Sequence, residues 1–270
     1  MLASRSYVTL ALKQAGLQPN RNLGQNFFID GEYLARLLSS VSFSGKQVVE
    51  IGPGLGAMTE LLLEAGADVI AIEKDKNMVA LLKQALSTPA LTIMEGDCLK
   101  LWPETLPPLY IVAGNLPYCI TAEIAEMLFN KNPAEMVLML QKEAADRFFA
   151  LPSHKNYGPL SAAFSLYYRI EMLGSIPPSC YLPEPNVTSA MLHFTKKTDA
   201  PGESPGEVLR FFTLCFRKRR KTLLNNLSAF PAAKAAIETL SLPPAVRAEA
   251  LAPEMLLQLY RYLQKERKDT

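Results

Sequence analysis

The sequence predicts an α/β fold with a mostly parallel sheet, followed by a small all-helical domain. Short apolar runs at 47–51, 68–72, 91–94, 110–114 and 136–141 alternate with helical patterns, which places helices on both faces of a parallel sheet. The first run enters a glycine turn, Gly52-Pro53-Gly54-Leu55-Gly56. Two further strands, 170–176 and 190–195, are separated only by a proline-rich loop at 177–185, so they should form an antiparallel pair closing one sheet edge. A polar, Gly/Pro-containing stretch at 198–206 then separates a domain at 1–197 from one at 198–270 whose apolar spacing is helical.

Bulk properties narrow the function. With 270 residues, 49% apolar and 20% charged, the chain can bury one large core plus a smaller one, and an ordered chain is expected. No apolar run approaches the roughly 18 residues of a membrane span. Met1-Leu2-Ala3-Ser4-Arg5 lacks the long apolar region of a secretory signal, so a cytoplasmic, membrane-free protein is expected. Cys98, Cys119, Cys180 and Cys215 form no Cys-x-x-Cys pair, and His154 and His193 share no motif spacing. That pattern fits reduced thiols and gives neither a metal site nor a Ser-His triad much to build on. The net charge is only +2, so any affinity for nucleic acid must come from local clustering.

In chain order, residues 6–15 read as an amphipathic helix, and a polar loop carries Asn22-Leu23-Gly24-Gln25-Asn26-Phe27-Phe28. Asp30 is the expected N-cap of a helix through Tyr33, Leu34, Leu37 and Leu38. At the glycine turn, Gly52 and Gly54 let a ligand touch the backbone, but Gly52-x-Gly54-x-x-Ala57 also satisfies the dinucleotide fingerprint. Glu73, about 20 residues on, would bind ribose hydroxyls in either case. Glu50 adds a second carboxylate that suits a cationic amino-acid tail and is awkward for a pyrophosphate. Asp97 is placed to accept a hydrogen bond from an adenine amino group.

The run 109–114 ends in Asn115-Leu116-Pro117-Tyr118. Pro117 has no amide hydrogen for a sheet ladder and disfavours helical geometry at Leu116, so the strand must stop there. At the carboxyl edge of an open α/β sheet, where ligands sit, this turn offers the Asn115 amide oxygen, the Leu116 carbonyl and the Tyr118 ring. Two acceptors gripping the hydrogens of an exocyclic amine would localise its lone pair, while Tyr118 stacks on the base. The alternative is that Asn115 caps the next helix. Farther on, Arg217-Lys218-Arg219-Arg220-Lys221 puts five basic residues in a row between apolar neighbours. Such a run is expected to wrap around a helix, and phosphate is its natural partner.

The chain resembles the ribosomal RNA adenine N6,N6-dimethyltransferase family, the KsgA type of bacterial small-subunit enzymes. The resemblance rests on segments 23–27, 50–56, 114–118 and 138–143, and on Arg219-Arg220-Lys221-Thr222-Leu223-Leu224-Asn225-Asn226-Leu227. It implies a class I (Rossmann-like) methyltransferase domain with a helical C-terminal domain. It implies S-adenosylmethionine as cofactor, lined by Asn26, Phe28, Gly52, Glu73, Asp97 and Asn115. It further implies that Asn115, Leu116 and Tyr118 hold the target adenine with Tyr181 on its other face. The implied partner is small-subunit rRNA in an immature small ribosomal subunit; a monomer is the default expectation. Two departures stand out: Asn186 and Thr188 replace the common Lys and Asp of a Pro-Lys-Val-Asp-Ser-Ala segment, and Tyr181 stands where Phe is frequent.

Overall fold

The computed structural model describes residues 1–20, 23–117 and 120–268. It contains two compact units. One comprises Met1–Met127, Pro133–Ala145 and Ile170–Thr195; the other comprises Leu128–Asn132, Asp146–Arg169 and the chain from Lys196 on. The second unit thus takes in residues 146–169, which precede the 198–206 stretch. Among the described residues no helix is long and apolar enough to cross a membrane.

The first unit opens with α1 (Arg5–Gln14), β1 (Phe27–Phe28) and α2 (Gly31–Leu38). The Asp30 side chain caps α2 by accepting the Tyr33 amide at 3.0 Å. Strands β2 (Gln47–Ile51), β3 (Asp68–Glu73), β4 (Leu91–Glu95), β5 (Ile111–Asn115) and β6 (Glu135–Gln141) follow, with α3 (Ala57–Glu64), α4 (Lys76–Ala85) and α5 (Thr121–Lys131) after β2, β3 and β5. Beyond α6 (Lys142–Phe148) and α7 (Pro159–Tyr167) come β7 (Tyr168–Ile176), β8 (Tyr181–Leu182) and β9 (Ser189–Lys196). The sheet order is β4-β3-β2-β5-β6-β9-β7, parallel from β4 to β6, with β9 antiparallel to β6. The order reverses between β2 and β5, the topological switch point where open α/β sheets bind ligands.

Helices on both faces explain why the central strands are continuous apolar runs rather than alternating ones: Val48, Val49, Ile111, Val112 and Ala113 are fully buried. Gly114 is required by the β2–β5 contact, since a Cβ there would lie 2.6 Å from the Ile51 carbonyl oxygen. The pair β1–β8 is too short to show any periodicity and was not predicted; it sets Phe28 opposite Tyr181.

The second unit has an aromatic core in which Phe129 meets Phe164 at 4.7 Å and Phe211 meets Tyr260 at 5.4 Å between ring centroids. Its C-terminal part holds α8 (Pro205–Phe216), α9 (Leu223–Asn226), α10 (Ala233–Thr239) and α11 (Pro253–Lys268). The basic run does not wrap around a helix: α8 ends at Phe216, and 217–221 form an exposed turn before α9. Successive like charges repel, and the Asn226 side chain supplies the backbone with other partners. Its amide donates to the Cys215 carbonyl at 2.8 Å, and its oxygen accepts the Lys218 amide at 3.0 Å.

Candidate active site

A cleft of the first unit lies at the carboxyl ends of β2, β3, β4 and β5. Asn26, Phe28, Gly52, Gly54, Glu73, Asp97, Asn115 and Pro117 all line it, so the structure gathers these sequence-predicted residues in one place. The glycine turn makes the cleft possible. Gly52, Gly54 and Gly56 have φ of 68°, 56° and 90°, a left-handed conformation that side chains disfavour. Gly56 is the residue before α3 and offers no side-chain cap, which leaves the helix start open.

Two acids form the floor. Glu50 is 2% exposed, and its Oε2 accepts the Thr59 hydroxyl at 2.6 Å. Burial pushes Glu50 up to about 8, with the Glu73 charge adding to the effect and the Thr59 bond opposing it. Glu73, at the end of β3, accepts the Gly54 amide at 3.0 Å and the Asp75 amide at 2.8 Å, and burial raises its pKa too. The glycine turn and Glu73 alone would serve a dinucleotide as well; the second buried carboxyl group, Glu50, suits a cationic tail better than a pyrophosphate. At the cleft wall, Asp97 accepts Lys74 Nζ at 2.9 Å and the Leu99 amide at 3.1 Å, and the Lys74 hydrogen bond holds its carboxyl below the usual range.

Opposite, the Asn115 amide donates to the Asn26 carbonyl at 3.3 Å, leaving its side-chain oxygen as the acceptor. The Leu116 amide continues the ladder to the Met139 carbonyl at 3.0 Å, and the Pro117 carbonyl accepts the Ile120 amide at 3.2 Å and the Thr121 hydroxyl at 3.1 Å. These bonds fix the turn. Leu116 is itself buried, and Tyr118 lies outside the described residues.

Tyr181 does not line the cleft. It is fully buried, edge-on to Phe28 at 5.0 Å, with its hydroxyl 3.9 Å from the Met139 sulfur. In this structure both ring faces are covered by core side chains, because β8 directs the residue inward. Arg217, Lys218, Arg219, Arg220 and Lys221 belong to the second unit. Sequence reasoning missed Lys74 and Thr59, whose roles come from partners distant in sequence; the adjacency of Lys74 to Glu73 was the available signal.

A model of the family described as ribosomal RNA adenine dimethylase matches residues 16–265. The chain belongs to this family. The chain is similar to the ribosomal RNA small subunit methyltransferase A of Listeria monocytogenes, at 39% identity over 250 residues, covering 86% of this chain and 84% of that protein. It is similar to the protein of the same name from Lachnoclostridium phytofermentans, at 36% over 269 residues and 92% of each. Among solved structures, a dimethyladenosine transferase from Plasmodium falciparum has a TM-score of 0.71 at 22% identity, covering 88% of this chain and 97% of that one. The 23S rRNA methyltransferase ErmE has a TM-score of 0.64 at 22%, covering 88% and 100%. These two likenesses establish the Rossmann-like fold of the chain.

The cleft fits S-adenosylmethionine by its donor and acceptor set. The buried acids suit a cationic amino acid, the open helix start suits its carboxylate, and Glu73 and Asp97 keep unused lone pairs for ribose hydroxyls and an adenine amino group.

Proposed function

We propose that this chain methylates N6 of two adjacent adenines near the 3′ end of small-subunit rRNA, twice each. It does so as a cytoplasmic monomer acting on an immature small ribosomal subunit. The observation that carries this reading is that Asn115 and Pro117 of the turn line the same cleft as the glycine turn, Glu73 and Asp97, in a member of the adenine dimethylase family.

When bound, S-adenosylmethionine supplies a methyl group on a positively charged sulfur, an already activated leaving group. The chain therefore needs no strong base; it has to position and desolvate the amine. Asn115 Oδ1 and the Leu116 carbonyl accept the two N6 hydrogens and draw the nitrogen lone pair out of the ring. The Asn26 carbonyl holds the Asn115 amide in that orientation. Asn26 and Phe28 close the cleft from the N-terminal side, and Glu50 and Glu73 offer carboxyl oxygens to the cationic tail at its floor. Tyr118 stacks on the extruded base, a contribution of roughly 1–3 kcal/mol against an extrusion cost of a few kcal/mol. The domain at 198–270 docks the RNA through Arg217–Lys221.

The test is expression in a bacterium lacking its own small-subunit dimethyltransferase, followed by primer extension across the 3′ end of the rRNA. A doubly methylated N6 blocks the pairing edge, so two adjacent stops are expected. Read-through with the protein present would refute the proposal.

A further inference from the structure

Segment 24–28 is held across the cleft by a series of hydrogen bonds that begins at Asp75, the N-cap of α4. One carboxyl oxygen of Asp75, Oδ1, accepts the Asn77 amide at 2.9 Å, as a cap does. The other, Oδ2, accepts Gln25 Nε2 at 2.8 Å, a bond between residues 50 apart in sequence. The Asp75 amide donates to Glu73 Oε1 at 2.8 Å, so the same residue also touches the acid at the end of β3. Gln25 is used at both ends of its side chain. Its Oε1 accepts the Asn20 amide at 2.8 Å, and its own backbone amide donates to the Asn20 carbonyl at 3.2 Å. That fixes the side-chain amide in one orientation, because turning it over would set its oxygen against the carboxylate and its NH2 against an N–H. One residue on, the Asn26 carbonyl accepts Asn115 Nδ2 at 3.3 Å, while the Asn26 side chain donates to the Gly24 carbonyl at 3.2 Å. The Phe27 ring then stands over Gly54, where a Cβ would lie 3.4 Å from two of its carbons. Residues 24–28 all line the cleft.

We propose that Gln25 is a positioning residue for methyl transfer: its bridge to Asp75 holds segment 24–28 where the Asn26 carbonyl aims the Asn115 oxygen at the target amine. The proposal rests on the reading of Asn115 as an acceptor for an adenine amine. An amide donating to a carboxylate is among the stronger hydrogen bonds, and here it anchors the segment to the β3–α4 connection. The same segment borders the cofactor and orients the acceptor. Loosening its anchor therefore costs twice, once in cofactor affinity and once in the geometry of the reacting amine.

The experiment exchanges the donor and acceptor roles of the pair in the full chain. Gln25→Glu alone sets two carboxylates against each other. Asp75→Asn alone sets two NH2 groups against each other while keeping a good helix cap. Each should weaken S-adenosylmethionine binding, read by calorimetry without RNA, about tenfold, the loss of one hydrogen bond to a charged group. Each should also slow single-turnover transfer to small ribosomal subunits lacking the modification about tenfold at saturating cofactor. The double variant Gln25→Glu/Asp75→Asn reverses the polarity of the bond, and the carboxylate placed at 25 still accepts the Asn20 amide. It should return both quantities to within about threefold of wild type. A double variant no better than the worse single one would overturn the bridge. Wild-type rates in the single variants at saturating cofactor would make Gln25 a cofactor contact only and overturn its action through Asn115. A wild-type chain that transfers no methyl group to subunits would instead overturn the rRNA reading, and recovery of cofactor affinity in the double variant would still decide the bridge.

Discussion

Replacing Glu50 with glutamine should change how stability responds to pH. In the unfolded chain this carboxyl ionises near 4.5, whereas in the folded protein burial holds it at about 8. Between those values the unfolded chain has released a proton that the folded protein keeps, so unfolding becomes easier as pH rises. The contribution of Glu50 is fully present below 4.5 and is lost as pH rises through about 8, at about 1.4 kcal/mol per pH unit and roughly 4–5 kcal/mol in all. Glutamine has nearly the same shape, and its amide oxygen still accepts the Thr59 hydroxyl, but it has no proton to lose. The stability difference between Glu50→Gln and wild type should therefore grow with pH up to about 8 and level off above it. Urea unfolding from pH 5 to 9, followed by fluorescence of Trp102, the single tryptophan, reads the unit that carries the site. A difference that stays flat across that range would refute the reasoning. The same variant should bind S-adenosylmethionine more weakly above pH 8, where the wild-type floor carries its full negative charge.

Asn115→Ala should lower methyl transfer about a hundredfold or more while leaving subunit binding nearly intact; comparing single-turnover rates with filter binding checks this, and equal losses would refute the assigned role. Gly114→Ala should cost about 2–3 kcal/mol, because the new Cβ meets the Ile51 carbonyl oxygen at 2.6 Å and only a shift of β2 from β5 relieves it; thermal melting reads the loss. Tyr181→Phe should cost under about 1 kcal/mol, since the hydroxyl's contact to the Met139 sulfur is long, whereas Tyr181→Ala should cost about 3–5 kcal/mol by opening a cavity in the core beside Phe28. Denaturant titration of the two variants distinguishes a core residue from a surface one.

The architecture was legible because its signals are local. Residues 47–51 form a strand in both readings since a buried parallel strand is a continuous apolar run, and Asp30 caps α2 because a carboxylate satisfies amides three residues away. The cleft was legible for a related reason: strand ends at 52–56, 73, 97 and 115 must converge once the strands are parallel. What escaped depends on neighbours in space. The turn at 217–221 is set by Asn226 reaching back to Cys215 and Lys218, the inward direction of Tyr181 by its pairing through β8 with Phe28, and the Lys74–Asp97 pair by adjacent strand ends. The inclusion of 146–169 in the second unit reflects contacts such as the Tyr157 ring with Phe216 and the Tyr167 hydroxyl with the Glu203 carbonyl, which no spacing rule reveals.

The central claim is that the turn at Asn115 presents an adenine amine to S-adenosylmethionine. Its most direct test is transfer from labelled S-adenosylmethionine to small ribosomal subunits lacking the modification, with the rRNA nucleosides then separated by mass. The account predicts label in N6,N6-dimethyladenosine from small-subunit rRNA. Label in any other nucleoside, or none with subunit binding intact, would contradict it.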